Sequence, residues 1–215
     1  GVCLQEAALG TIRAVGAKFT NPKRVAIDSG GIKVASSCWL SAIHVQGAVN
    51  LSEALFAGSL GISGVVHSTF VALNLGGARC SSEVKLDGEF AGERSVDCSA
   101  LTVEGSIGLL SGFVSRGLFR METAQIGRSL VINRGAQFRF APAAPTLESE
   151  DETSPKEPEA NGDEVVDVTS SDMAMESSST RTETPNAGET IRWTRTTIGG
   201  RVAIAFVDEL SLIHI

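Results

Sequence analysis

The chain has 215 residues, 42% of them hydrophobic, with 23 glycines, four cysteines, no tyrosine and a formal charge of −7. That length and apolar content suffice for one elongated core. No basic stripe is present, so a phosphate footprint, and with it nucleic-acid binding, is excluded. Neither a signal-peptide pattern nor a run of 18 apolar residues occurs, and membrane association is left open.

From about residue 8 onward, two apolar residues one position apart recur every 22 to 26 residues: Ile12/Ala14, Cys38/Leu40, Leu60/Ile62, Val84/Leu86, Ile107/Leu109, Leu130/Ile132 and, much later, Val202/Ile204. A second ladder keeps the same phase through Val25/Ile27, Val49/Leu51, Leu73/Leu75, Val96/Cys98, Phe119/Met121 and Ile191/Trp193. A third, of single residues, runs Phe19, Ile43, His67, Phe90, Phe113, Phe138. Period-two alternation turns both apolar residues of each pair to one side, and a repeat of this length marks a solenoid. The spacing predicts an all-β fold, a right-handed single-stranded parallel β-helix with rungs of about 23–24 residues stacked ~4.8 Å apart. A β-sandwich with evenly spaced strands is the alternative. Only one of six prolines, Pro22, lies in the first 141 residues, as expected where nearly every N–H donates to a ladder.

The pattern breaks once. Residues 141–188 hold five prolines and 12 of the 25 acidic residues against only Lys156 and Arg181, a composition that reads as a disordered acidic loop of net charge −10. Outside it the chain has 16 basic and 13 acidic residues, so the body is nearly neutral. Ile191, Ile198 and Val202 lie 72 residues beyond Phe119, Ile126 and Leu130, three rungs' worth of chain. The expected organisation is therefore solenoid over 1–140, insertion over 141–188, a resumed rung over 189–210 and a non-native tail over 211–215. The closing LSLIHI resembles adapter read-through; a genuine apolar strand is the alternative. An opening residue other than Met, with a rung already under way, reads as a truncated N-terminus.

The segments GAKFTNPKRVAIDSGGIKV (16–34), GAVNLSEALFAGSLGISG (47–64) and GSIGLLSGFVSRGLFRMETAQIGRSLVINRGAQF (105–138) carry a common phrase through Phe19, Asn21, Gly47, Gly112, Phe113, Gly117, Ile126 and Phe138. The phrase resembles a repeat of bacterial β-helical, pentapeptide-repeat-like proteins over most of residues 8–140, and more weakly the bactofilins. The resemblance implies a coil. Some such relatives bear a membrane-associated oxidoreductase label, but no dinucleotide loop follows a strand and opens a helix here.

Candidate chemical residues are few. Cys38 and Cys98 occupy ladder positions and read as buried free thiols; with Cys3 and Cys80 they form no C-x-x-C and no metal spacing. Reduced cysteines point weakly to the cytoplasm. His67, in the single-residue ladder, reads either as a base in a groove or as a solvated corner ring, with no nucleophile placed for it; His44 is expected to point outward. Asp28 and Asp97 fall at equivalent places three rungs, about 14 Å, apart, too far for a glycosidase pair. Glu83, Asp87, Glu89 and Glu93, broken by Lys85 and Arg94, read as a solvated face. Trp39 lies between Cys38 and Leu40, so it points outward, where it could meet a partner or a neighbouring segment.

No catalytic residue, metal or cofactor is assigned. The leading expectation is a non-catalytic scaffold or protein-interaction rod with an unidentified protein partner and Trp39 as its contact. A polymer-forming, bactofilin-like protein that self-associates end to end, and a carbohydrate-binding or polysaccharide-cleaving β-helix, are the alternatives.

Overall fold

A computed structural model describes residues 1–139 and 191–204, with backbone alone for 191–194 and 203–204. The expected insertion (141–188) and tail (211–215) lie outside the described residues. Within them the protein is all-β: no helix occurs, every strand pairing is parallel, and the coils stack as a β-solenoid of about six turns.

The first ladder pairs as a single column. Ile12 sits against Cys38, Cys38 against Leu60, Leu60 against Val84, Val84 against Ile107, Ile107 against Leu130 and Leu130 against Val202. Cys38, Leu60, Val84, Ile107 and Leu130 are all buried. Each stacked aliphatic chain contributes roughly 1.5–3 kcal/mol by leaving water, and each strand's amides are satisfied by the coils on either side. Past the acidic stretch this column and two others continue, with Val202 on Leu130, Ile191 on Phe119 and Ile198 on Ile126, each offset by 72 residues.

The second ladder differs in its first rung. Val25 pairs with Ala48 and Ile27 with Val49, so the column reads Val2, Ile27, Val49, Leu73, Val96, Phe119, Ile191. Two register shifts produce this, one between Thr20 and Val25 and one between Val25 and Ile27. Pro22 lies in the first, where a missing N–H costs no ladder bond.

The third ladder is a different set of residues. Its true column is Phe19, Val45, Val66, Phe90, Ser115, Phe138. Ile43 pairs with Gly64, and His67 pairs with Gln46 and Ala91 on the outer face. Bulges that differ between coils broke the simple count. Phe113 nevertheless joins the stack through its ring, 5.7 Å from both Phe90 and Phe138 and edge-on to Phe119 at 5.9 Å. Behind it the buried hydroxyls of Ser95 and Ser115 lie 2.5 Å apart, and Ser95 also donates to the Leu118 carbonyl.

A fourth column was not anticipated. Two-residue strands, among them Lys33–Val34, Leu55–Phe56, Arg79–Cys80, Thr102–Val103 and Gln125–Ile126, form a second parallel sheet with Val34, Phe56, Cys80, Val103 and Ile126 facing in.

Several coils differ in length at one corner. Against the tight turn Gln46–Ala48, the first coil inserts residues around Pro22 and the third coil inserts Ser68–Phe70. In the last coil the chain leaves after Arg139, paired with Arg116, and rejoins at Ile191, paired with Phe119. That is the same corner. Where no insertion occurs, glycine is required: Gly117 has φ +123°, and a Cβ on it would fall 1.9 Å from the Gly92 carbonyl oxygen.

Gly117→Ala is therefore expected to cost at least about 2 kcal/mol. Gly10→Ala, with open space around its Cβ position, is expected to stay within about 0.5 kcal/mol of the parent. Urea unfolding of the two variants checks the contrast.

Candidate functional surface

Because the ladder consumes the backbone donors and acceptors, recognition by this body rests on outward side chains. Four groups of them stand out.

Trp39 is half-buried on the outer face. Its column partner on the next coil is Gly61, and a Cβ on Gly61 would lie 2.1 Å from ring atoms Cε3 and Cζ3. The indole thus lies flat over a glycine that has no side chain of its own to cover the ladder. Trp39 touches an adjacent coil, with the remainder of its ring open to solvent.

His67 is exposed, and its Nε2 lies 3.1 Å from Glu89 Oε1. The same oxygen accepts from Arg116 Nε at 2.8 Å. Burial acts to raise the Glu89 pKa, but the bonds from Arg116 and His67 outweigh it and hold the carboxyl below its usual value. Three coils contribute one residue each, so this is a cross-coil tie. The rest of the presumed acidic face divides up: Glu83 takes Lys85 Nζ at 2.7 Å, and Asp87 accepts from the Gly88 amide at 3.0 Å.

Asp28 and Asp97 do share a column, with Asn50 and Asn74 between them. Asn50 Nδ2 donates to Asp28 Oδ1 at 2.9 Å and Asn74 Nδ2 donates to Asn50 Oδ1 at 3.2 Å. The side-chain oxygens of Asn50, Asn74 and Asp97 accept the amides of Ser52, Gly76 and Ser99 two residues on, closing the same turn in three coils. Asp97 also accepts from Ser99 Oγ at 2.6 Å and Arg94 Nη1 at 2.9 Å, with Arg120 Nη1 at 3.8 Å. Burial opposes its ionisation, yet these donors keep its pKa below the ordinary value. The two aspartates are the ends of one polar ladder: Asp97 closes its own turn, while Asp28 accepts from Asn50 and from Gln5 Nε2 at 2.7 Å. Asn50 and Asn74 went unnoticed in the sequence, although the recurrence of Asn/Asp just after the second apolar column was the signal.

The fourth group is a trough. Outward residues of the two-residue strands, Lys33, Leu55, Arg79 and Thr102, form one column. Beside it runs a column of mostly small residues, Ala35, Ala57 and Ser81, ending at Glu104. Together they line an open groove of about 910 Å³ that follows the stacking direction from Ala8 to Gln125. Leu55 is 39% exposed on its floor.

The cysteines carry no reactivity inside the body. Cys38, Cys80 and Cys98 are buried and free, and Cys3 is exposed. Burial raises the Cys38 thiol to about 12 and pushes Cys80 and Cys98 up as well. Among the described residues no three His, Cys, Asp or Glu side chains converge as a metal set, and no helix is long and apolar enough to cross a membrane.

Trp39→Ala is expected to cost about 1–2 kcal/mol, and Gly61→Ala about 1–3 kcal/mol through overpacking. In the double variant the Gly61 penalty shrinks, since the obstructing ring is gone; a double-mutant cycle by urea unfolding reads the coupling. For Asp97, a folded pKa below the unfolded value of 3.8 means that its stabilisation is complete well above that pH. It is lost as pH falls through the unfolded value toward the folded one. Asp97→Asn, which retains the turn-closing oxygen, is expected to lose about 1–2 kcal/mol at pH 7 and to show a flatter decline below pH 4 in pH-dependent unfolding.

Comparison with known protein families, curated proteins and solved structures gives no match to this chain.

Proposed function

We propose that this protein is a non-catalytic interaction scaffold: a stiff rod that presents side chains at fixed axial spacing to another protein. The supporting observation is how the outward polar groups are used. His67, Glu89 and Arg116 tie coil to coil, as do Asp28, Asn50 and Asn74, while Asp97 closes its own turn and meets Arg94 and Arg120. Functional groups that act on a substrate converge on a common point; these run along the stack and bond to one another. The trough is the surface left over for a partner, and Trp39, still partly open beyond Gly61, is a secondary contact.

The test uses the full chain immobilised against an extract of its source cells. A retained protein is expected to be lost with Leu55→Asp, a change on an exposed outward position, and kept with Glu89→Gln. In parallel, a panel of neutral and acidic polysaccharides is expected to give no turnover. Hydrolysis that disappears in Glu89→Gln or Asp97→Asn overturns the scaffold in favour of a polysaccharide-cleaving enzyme.

A further inference from the structure

The trough has a period, a charge order and a depth, and together these select the shape of what fits it. Lys33, Leu55 and Arg79 stand on three successive coils in one register column. At about 4.8 Å per coil, the two cations are roughly 10 Å apart with the leucine midway. An α-helix laid along the stacking direction offers one residue per turn of 5.4 Å, so its positions i, i+3/i+4 and i+7 span about 10.5 Å. The mismatch is about 1 Å over three contacts, well within the reach of Lys and Arg side chains. An extended strand repeats its facing residues every ~6.7 Å and falls out of step by the second contact. It would also need backbone partners, and those of this sheet are already used: Ala35, Ala57, Ser81 and Glu104 donate their amides to Leu9, Val34, Phe56 and Cys80. A helix satisfies its own backbone and needs none.

The neighbouring column supplies the depth. Ala35, Ala57 and Ser81 leave room for a helix to approach closely, while Lys33 and Arg79 rise beside it. Neither Lys33 nor Arg79 takes part in an ion pair among the described residues. Glu104, one coil beyond Arg79, reverses the sign at the far end.

We propose that the trough docks an amphipathic helix of a partner protein, with acidic residues at i and i+7 against Lys33 and Arg79 and apolar residues at i+3 and i+4 on Leu55. A basic residue about one turn beyond i+7 faces Glu104. The groove spans six coils, about 24 Å, which accommodates a helix of about 16 residues. This deepens the scaffold reading and rests on it, naming the class of partner and its contact pattern.

The test is fluorescence anisotropy of the full chain with labelled, hydrocarbon-stapled 18-residue helices that differ only at the charged contact positions. The Glu(i)/Leu(i+3, i+4)/Glu(i+7) helix is expected to bind at least ten-fold more tightly than the version with Lys at i and i+7. In the double variant Lys33→Glu/Arg79→Glu that preference is expected to invert. Both substitutions are on exposed outward positions, and unchanged circular dichroism and melting confirm the fold. Equal affinities, an uninverted preference, no binding by either helix, or equal binding by a proline-interrupted peptide of the same composition overturns the helix. If it is overturned while a Leu55-dependent partner is still captured from extract, the helix fails and the scaffold stands.

Discussion

Parallel pairing of each coil with the next governs everything else in this molecule. A strand in the middle of the stack has its amides and carbonyls satisfied only by the coils before and after it, at one fixed spacing. Once that spacing is imposed, the inward residues must stack like on like, and Cys38, Leu60, Val84, Ile107 and Leu130 do so in a single buried column. The outward residues must stack as well. This is why the polar side chains that could have formed a site instead meet their counterparts one coil away, as Asn50 meets Asp28 and Asn74 meets Asn50.

The stacking rule also explains where the chain tolerates exceptions. Gly61 leaves a gap in an outer column and Trp39 covers it. Ser115 stands between Phe90 and Phe138 in an inner apolar column, and the ring of Phe113 from the preceding corner bridges the two. In both cases the replacement comes from a neighbouring position with a long enough side chain, so that the backbone ladder itself is left intact. The three interior cysteines fit the same logic. They fill aliphatic positions, and the raised pKa of each follows from that burial.

How much of this is legible in the sequence follows from which features repeat strictly. The first ladder does, because it follows the fourth column by the same four residues in successive coils, from Val34 to Cys38, Phe56 to Leu60, Cys80 to Val84 and Val103 to Ile107, and the 72-residue offset across the acidic stretch could be counted directly. The second ladder could be counted everywhere except around Pro22, where a bulge adds residues that a fixed period cannot see. The third could not, since each coil turns that corner with a different number of residues; His67 was counted into that ladder, and lies beside its column as an outward ring bonded to Glu89. The fourth column, Val34 to Ile126, has only one inward residue per strand, too little alternation to register as a pattern. The trough on its outer side was invisible for the same reason. Asp28 and Asp97 were read correctly as equivalent, but the polar ladder that joins them runs through the asparagines between them. Trp39 was legible as outward, while its glycine partner required knowledge of the register.

The corner that holds Pro22, Ser68–Phe70 and the departure of the chain after Arg139 has a wider meaning. It separates two kinds of change that most folds couple. Residues added there leave the phase of the later coil untouched, as the pairing of Ile191 with Phe119 demonstrates. Residues added within a ladder strand would rotate all subsequent side chains between inside and outside. The molecule thus behaves as a rail with a side port: segments of very different length are spliced in at that port without altering the gauge.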